Sequence, residues 1–436
     1  MATENPALAV DIPVETRKAD KYIWAIYIAL LAISVVELYS ASSREVSASN
    51  VFGPLLRHGM MLFLGVGITV GLSHLKYKHL YNLAPIFVIF ALVIAVYVLF
   101  KGQIINGARR SMSFFGIALQ SAELLKLAVV LLIAQVIAVN RERVGVTSKG
   151  ITICAAFVLL CGGLLFSQGL TNTLLLMGIS TAMMLIGGVQ MKKFGIVMVV
   201  YALIAGAGVI YKQNRSADNE PTAQEQAMIA ETGRTADGKT ATLERSHTWK
   251  ARLQRFLDPT PKYEQKITAE NRQEMYSYMA QANGSWHGVL PGNSRETARL
   301  PLAFSDYIFA IIVEDWGFIG GFILLSLYLC LLGRAGAIAS RCSRAFPALL
   351  AMGMAVMIVL QALFHMAIVT GVFPVSGQPL PMISKGGTSI IVTSIAFGIM
   401  LSVSRYAAKT GSKDDEKAEI ADLPSALTAE NPLARQ

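Results

Sequence analysis

The sequence predicts an all-α polytopic membrane helix bundle, with about ten transmembrane helices and one large extracytoplasmic loop between spans 7 and 8. Composition and patterning carry this. Of the 436 residues, 54% are hydrophobic and only 15% are charged, against roughly 25% charged in soluble domains. The apolar residues also run in blocks, such as YIWAIYIALLAISVVELY and LAPIFVIFALVIAVYVLF, and about 20 such residues cross a bilayer as a helix. Backbone polar groups in lipid need partners inside the protein, which makes helices the default. A transmembrane barrel would need short alternating strands, and none are seen.

Spans are expected at about 22–40, 53–72, 81–100, 117–139, 150–167, 169–188, 192–211, 306–333, 345–371 and 383–405. Almost nothing separates the fifth from the sixth, so one of them is short or broken. Basic residues favour cytoplasmic loops. Lys76, Lys78, Arg141, Arg143, Lys149, Lys192, Lys193, Arg334, Arg341 and Arg344 fall on the side of the N-terminus, whereas Arg44, Lys101, Arg109 and Arg110 fall on the other. Both termini are therefore expected in the cytoplasm. The chain divides into a cytoplasmic tail (1–21), spans 1–7 (22–211), an extracytoplasmic loop (212–305), spans 8–10 (306–405) and a charged, disordered cytoplasmic tail (406–436).

The net charge of +10 reads as this anchoring, not as nucleic-acid binding. Cys154, Cys161, Cys330 and Cys342 have no metal-ligand spacing and read as packing residues. The polar first 20 residues lack a signal-peptide layout, so the first span reads as an uncleaved anchor. Within the long loop, WKARLQRFLDP sets tryptophan, leucine and phenylalanine at helical spacing among arginines. This is either an interfacial amphipathic helix around 249–257 or a solvated helix packed on the protein.

Ionisable groups within spans cost a few kcal/mol each and ask for a reason. In NGARRSMSFFGIALQSAELLKL, Glu123 and Lys126 share a helix face at i, i+3. They form either an internal ion pair or part of a cavity for a charged ligand, and Arg109 and Arg110 beside them favour an anion. In LPLAFSDYIFAIIVEDWGFIGG, Asp306 opens the eighth span as a functional acid or as a helix cap. Glu314 and Asp315 lie deeper and need partners, with Lys126 or an arginine as candidates. FPVSGQPLPMISKGGTS gathers Pro374, Pro379, Pro381, Ser384, Lys385, Gly386, Gly387 and Thr388 into a re-entrant, non-helical segment. Such a segment is tolerated only where protein covers it or it lines a cavity, and its glycines suit unusual backbone conformations. Gln361 and His365 face the same space, or His365 is a packing residue. Arg57 lies at the outer end of the second span, as a ligand contact or snorkelling to head groups. Together these groups suggest an outward-facing, partly basic cavity for an anionic amphiphile.

These stretches resemble the FtsW/RodA/SpoVE family of shape, elongation, division and sporulation proteins, over about 22–405. FPVSGQPLPMISKGGTS is similar to the family's P-x-x-G-x-x-L-P-x-x-S-x-G-G-[ST]-S. NGARRSMSFFGIALQSAELLKL, RLQRFLDP and LPLAFSDYIFAIIVEDWGFIGG resemble three further motifs in family order. QSAE, SDYIFA and EDWG depart from the usual QPSE, TDFIFA and EELG. Gly169 replaces a family aspartate, so no role is carried there, and His365 stands where many members have asparagine. The subtype looks more like FtsW than RodA.

The resemblance implies a glycosyltransferase that polymerises peptidoglycan strands from lipid II on the outer face of the bacterial cytoplasmic (inner) membrane, at the division septum. The implied partners are lipid II, a class B penicillin-binding protein transpeptidase, other divisome membrane proteins and membrane lipid. Asp306 matches the catalytic aspartate of an inverting displacement. The candidate substrate-binding residues are Arg57, Arg109, Arg110, Glu123, Lys126, Glu314, Ser384, Lys385, Gly386, Gly387 and Thr388. A divalent cation, Mg or Mn, is compatible with this chemistry, although no metal-ligand cluster is visible. A lipid II flippase and a non-enzymatic scaffold for the transpeptidase are the rival readings, and a RodA-like elongation polymerase the rival subtype. The family's transpeptidase helix contacts spans 8 and 9. The small residues of GFIGG and AMGMAV there are expected to face it, so bulk at Gly353 or Ala355 should weaken the complex alone. The topology is tested by cysteine labelling of intact cells. Ser216→Cys should react with an impermeant reagent and Ser412→Cys should not; the reverse would place the loop inside.

Overall fold

Helix α1 (Lys21–Ala41) is capped by Asp20, whose Oδ1 accepts the N–H groups of Tyr22 at 2.9 Å and Ile23 at 3.1 Å. There follow α2 (Gly53–His74) and α3 (Tyr77–Lys101), then strands β1 (Gln103–Ile105), β2 (Ala108–Phe114) and β3 (Ile117–Gln120). Next come α4 (Ser121–Val139), β4 (Arg141–Glu142), β5 (Gly145–Val146), α5 (Ser148–Phe166), α6 (Leu170–Ile186) and α7 (Met191–Ala217). The last elements are α8 (252–257), α9 (Arg272–Gly284), α10 (Ala303–Asp306), α11 (Ile308–Ala339), α12 (Ala345–Val369) and α13 (Gly387–Tyr406). This computed structural model describes residues 18–41, 53–105, 108–114, 117–142, 145–166, 168–217, 252–261, 264–268, 271–300, 303–407 and 429–433.

The chain is an all-α polytopic membrane bundle. Helices stand at each of the ten expected positions. Among the described residues, α1 to α5 and α11 to α13, eight in all, are long and apolar enough to cross a membrane, and α6 is apolar but shorter. The sixth span is thus the short one. The fourth begins at Ser121 rather than 117, because residues 117–120 form β3. The sequence reading did not include the three-stranded antiparallel sheet β1-β2-β3 or α9. The eighth span is also not one helix opening at Asp306. Asp306 closes the short α10, and Tyr307 precedes α11.

Helices α4, α12 and α13 are the most enclosed, whereas α2 and α3 leave most of their surface outward. Small residues bring the central helices together. A Cβ on Gly398 of α13 would stand 2.7 Å from the Leu72 Cβ of α2, and one on Gly65 2.5 Å from the Ser394 Oγ. The same logic overturns the reading of Gly353 and Ala355 as a partner-facing surface. Ala355 is buried, and a Cβ on Gly353 would stand 2.6 Å from Met183 Cε and 2.8 Å from Val130 Cγ1. This close approach is internal, between α12 and the helices α4 and α6. All four cysteines are free, and Cys154, Cys161 and Cys342 are buried.

Helix α11 is interrupted at Gly317, whose φ of 71° lies in the region that favours glycine. A polypeptide loop fills the break. Phe318 N–H donates to Ser285 O at 2.8 Å, while Val289 and Leu290 N–H donate to Glu314 O and Asp315 O at 3.0 and 2.8 Å. The backbone groups freed by the break thus find protein partners, as a membrane protein requires.

The packing yields a direct test. Gly353→Leu should destabilise the fold by about 1–3 kcal/mol, the usual cost of overpacking. Thermal unfolding in detergent would report it. An unchanged melting temperature would place Gly353 outside the bundle.

Candidate active site

The Asp306 carboxylate sits where α10, β2, α8 and the proline-rich segment before α13 converge. No helix spans 370–386. The segment is sewn to its surroundings at almost every turn. Gln361 Nε2 donates to Pro379 O at 3.2 Å, and His365 Nδ1 lies 2.6 Å from Gln378 O. Tyr328 Oη donates to Pro381 O at 2.6 Å, and Arg252 Nη1 to Val375 O at 3.2 Å. Ser384 Oγ accepts from Leu380 N–H and donates to Ser305 O, both at 2.7 Å, and Lys385 N–H donates to Phe304 O at 2.9 Å. The segment thereby grips the α10 turn that carries Asp306.

Asp306 is half-buried. Its Oδ1 accepts from Ser305 Oγ at 2.9 Å. Its Oδ2 takes no hydrogen bond among the described residues and lies against Gly377, where an added Cβ would be only 2.7 Å away. Asp306 is not a cap for α11, whose N-cap position is Tyr307, without a side-chain cap bond. The charges of Arg110 and Arg252 act on the carboxylate. Burial raises the Asp306 carboxyl above its ordinary range, opposed by the Ser305 hydrogen bond and those two arginines. The result is a carboxylate of raised basicity with one open oxygen, under the charge of Arg110 and of Arg252, which Val375 O anchors.

The other expected site residues divide. Arg110 faces Asp306, with burial lowering its pKa and the Asp306 charge opposing that shift. Arg109 does not join it. Adjacent residues of a strand point to opposite faces, and Arg109 Nη1 donates to Phe100 O at the end of α3. Arg57 is exposed on α2. Lys126 and Glu123 are 0% and 3% exposed and bond each other at 2.7 Å. Lys126 also donates to Gln361 Oε1 at 2.5 Å, so the pair braces α4 against α12. Among the described residues, Glu314 has neither Lys126 nor an arginine side chain as a hydrogen-bond partner. Its carboxylate accepts from Ser294 Oγ, from Asn283 Nδ2 at 3.2 Å and from the N–H groups of Arg295 and Glu296, and so orders the loop after α9. Asp315 accepts from Ser40 Oγ of α1.

Thr388 Oγ1 accepts from Gln120 N–H at 3.0 Å and donates to Ala118 O at 2.5 Å, joining β3 to α13. Lys385 is half-buried, and its charge acts on His58. Gly386 is extended at φ −155°, and a Cβ there would meet only Ser389 Cβ, at 3.5 Å. The expected need for unusual backbone freedom is therefore absent at Gly386, while Gly387 is the first residue of α13. The glycine that the geometry requires is Gly377. Gly377 and Arg252 are not among the residues the sequence singles out; the arginine run before FLDP is the signal for the second.

Among the described residues, no group of three or more His, Cys, Asp or Glu gathers to hold a metal ion.

The FtsW/RodA/SpoVE sequence profile, described as a cell cycle protein, matches residues 20–409. The chain belongs to this family. Two FtsW/RodA/SpoVE relatives carry the name "Probable peptidoglycan glycosyltransferase FtsW". That of Polynucleobacter necessarius subsp. necessarius is 29% identical over 397 residues, covering 87% of this chain and 84% of its own. That of Aromatoleum aromaticum is 28% identical over 386 residues, covering 86% and 85%. The rod shape determining protein RodA of Thermus thermophilus has a similar structure, with TM-score 0.60, 21% identity and coverage of 89% of this chain and 97% of its own. A chain of a peptidoglycan synthase complex, solved to describe how polymerization and crosslinking are coordinated, gives TM-score 0.65 at 23% identity, covering 89% and 98%. These two likenesses establish the fold.

The site geometry predicts two variant effects. Gly377→Ala should push the Asp306 carboxylate aside and lower turnover on the order of 10²-fold, as small displacements at a reacting centre do. Arg252→Gln removes a charge that holds the Asp306 carboxyl down, so the acidic limb of the pH–rate profile should move to higher pH. A base works only when deprotonated, so activity rises with pH through its pKa. An unmoved limb would detach Arg252 from Asp306.

Proposed function

We propose that this chain is an FtsW-like peptidoglycan glycosyltransferase that polymerises lipid II into glycan strands on the outer face of the cytoplasmic membrane during cell division. Family membership and the names of the relatives support the reaction class. The observation that carries the assignment of roles is the half-buried Asp306 carboxylate, with its Oδ2 open and Arg110 and Arg252 beside it.

The reaction is a single inverting displacement. The 4-hydroxyl oxygen of the acceptor's terminal N-acetylglucosamine attacks C1 of the donor's N-acetylmuramic acid. The bond from C1 to the phosphate oxygen breaks, the polyprenyl pyrophosphate leaves, and the α-linked donor becomes a β-linked product. Asp306 Oδ2 takes the hydroxyl proton. The raised pKa of Asp306 makes it a stronger base than an exposed carboxylate. Arg110 and Arg252 each carry a planar guanidinium suited to phosphate oxygens. They stand ready for the negative charge that grows on the leaving pyrophosphate, without solvent reorganisation. Lys126 takes no part, because its charge is engaged by Glu123.

The transpeptidase partner has a surface to use. Phe318, Ile319, Phe322, Ile323 and Leu329 are exposed along α11, whereas α12 is largely enclosed. An apolar helix of a class B penicillin-binding protein packs on that face of α11, in place of the AMGMAV stretch of α12.

Asp306→Asn retains the size of the side chain but cannot accept the proton. Polymer formation from purified protein and labelled lipid II should fall roughly 10²–10⁴-fold, with lipid II binding unchanged. Near wild-type polymer would overturn the catalytic role and favour a carrier or scaffold, since neither needs a base.

A further inference from the structure

The face opposite Asp306, where α11 ends and α12 begins, holds a short piece of the chain's own tail. Within residues 429–433 (AENPL), 429–431 lie extended along the turn between the two helices and 432–433 form a turn. Ala345 N–H donates to Ala429 O at 3.0 Å and Asn431 N–H to Ser343 O at 3.2 Å, around an antiparallel bridge between Arg344 and Glu430. This is strand addition, with backbone bonds for grip and side chains for selectivity.

The selective element is Asn431, only 8% exposed. Its Nδ2 donates to Ala339 O and to Cys342 O, each at 2.7 Å. Ala339 is the last residue of α11, and the final carbonyls of a helix lack partners within it. The Asn431 amide therefore caps α11 from a segment far along the chain. Its Oδ1 accepts from Leu433 N–H at 2.9 Å and holds the peptide in a turn. Ala429 and Leu433 pack against the core on either side. The Glu430 charge acts on Arg141, which itself donates to Gly187 O at 2.9 Å at the end of α6, and Pro432 lies over Gly188. The peptide thus bonds to the turn between α11 and α12 and packs beside the end of α6, with its Glu430 charge acting on Arg141 of β4.

We propose that this face is a peptide-binding groove and that its ligand is the chain's own segment Ala429–Leu433, held there as a releasable latch. The expected disordered tail is, at these five residues, a bound ligand. Two features make it releasable. Among the described residues the contact is five residues long, and the segment is tethered and binds intramolecularly. The side-chain hydrogen bonds it makes to the groove come from one amide with two acceptors, and a competing peptide with Asn at that position would make them too. The recognition demands a donor. An aspartate there would have the same shape but would set carboxylate oxygen against two carbonyl oxygens.

The test compares full-length protein with a chain ending at residue 428, both in nanodiscs, using a fluorescent peptide of residues 424–436. Anisotropy should show binding to the truncated chain, at least 10-fold weaker binding to the full-length chain, whose groove is filled, and at least 10-fold weaker binding of the Asn431→Asp peptide. A peptide that ignores the truncated chain, or an Asn431→Asp peptide that binds equally well, would overturn the proposal. Hydrogen exchange on the intact chain requires no truncation. The amides of Ala345 and Asn431 should be protected in the wild type and exchange at least 10-fold faster in N431D. Equal exchange in the two proteins would also overturn it.

Discussion

A backbone that leaves the helical state inside a membrane protein has no water to turn to, and the segment 370–386 is built around that constraint. Pro374, Pro379 and Pro381 prevent a helix there, and each exposed carbonyl must then find a donor. The donors come from everywhere around it: Gln361 and His365 from α12, Tyr328 from α11, Arg252 from α8. Helices distant in sequence are thereby fastened to one irregular strand of chain. The buried Glu123–Lys126 pair belongs to the same scheme. It orients Gln361, which in turn holds Pro379. Charge that looked like a ligand site in the sequence stiffens the wall behind it.

The geometry around Asp306 is a by-product of that stitching. Ser384 and Lys385 hold the backbone of the α10 turn, Gly377 presses on one side of the Asp306 carboxylate, and Arg252 links the loop that carries Gly377 to an outer helix. The carboxylate is fixed by what surrounds it rather than by its own hydrogen bonds, of which the described residues provide one. That leaves Oδ2 available for a proton while the position of the group stays defined, the combination a general base needs.

The sequence made the spans legible because twenty apolar residues in a row have few alternatives, and the helix bounds agree with the hydropathy blocks within a few residues. It also pointed to Asp306, through its motif, and to the non-helical character of 370–386, through its prolines. It misassigned groups whose role depends on direction rather than type. Arg109 and Arg110 look equivalent as letters, yet strand alternation sends them apart. Gly353 reads as a contact surface until Met183 and Val130 are placed against it. Glu314 seems to call for a cation, but backbone amides of a later loop satisfy it. Arg252 was hidden for the converse reason: α8 reaches Asp306 only through tertiary packing, which no periodicity encodes.

The break in α11 bears on how such a protein can change over generations. Gly317 and Gly288, both at positive φ, lie back to back. A side chain on Gly317 would overlap the Trp286 carbonyl, and one on Gly288 would overlap the Asp315 carbonyl. In each case the obstacle is main chain, which no substitution can trim. A lost glycine at either position therefore has no second-site remedy at the other, and neither can drift by small steps. The loop after α9 and the interrupted helix must be inherited together, as a lock and its fitted key.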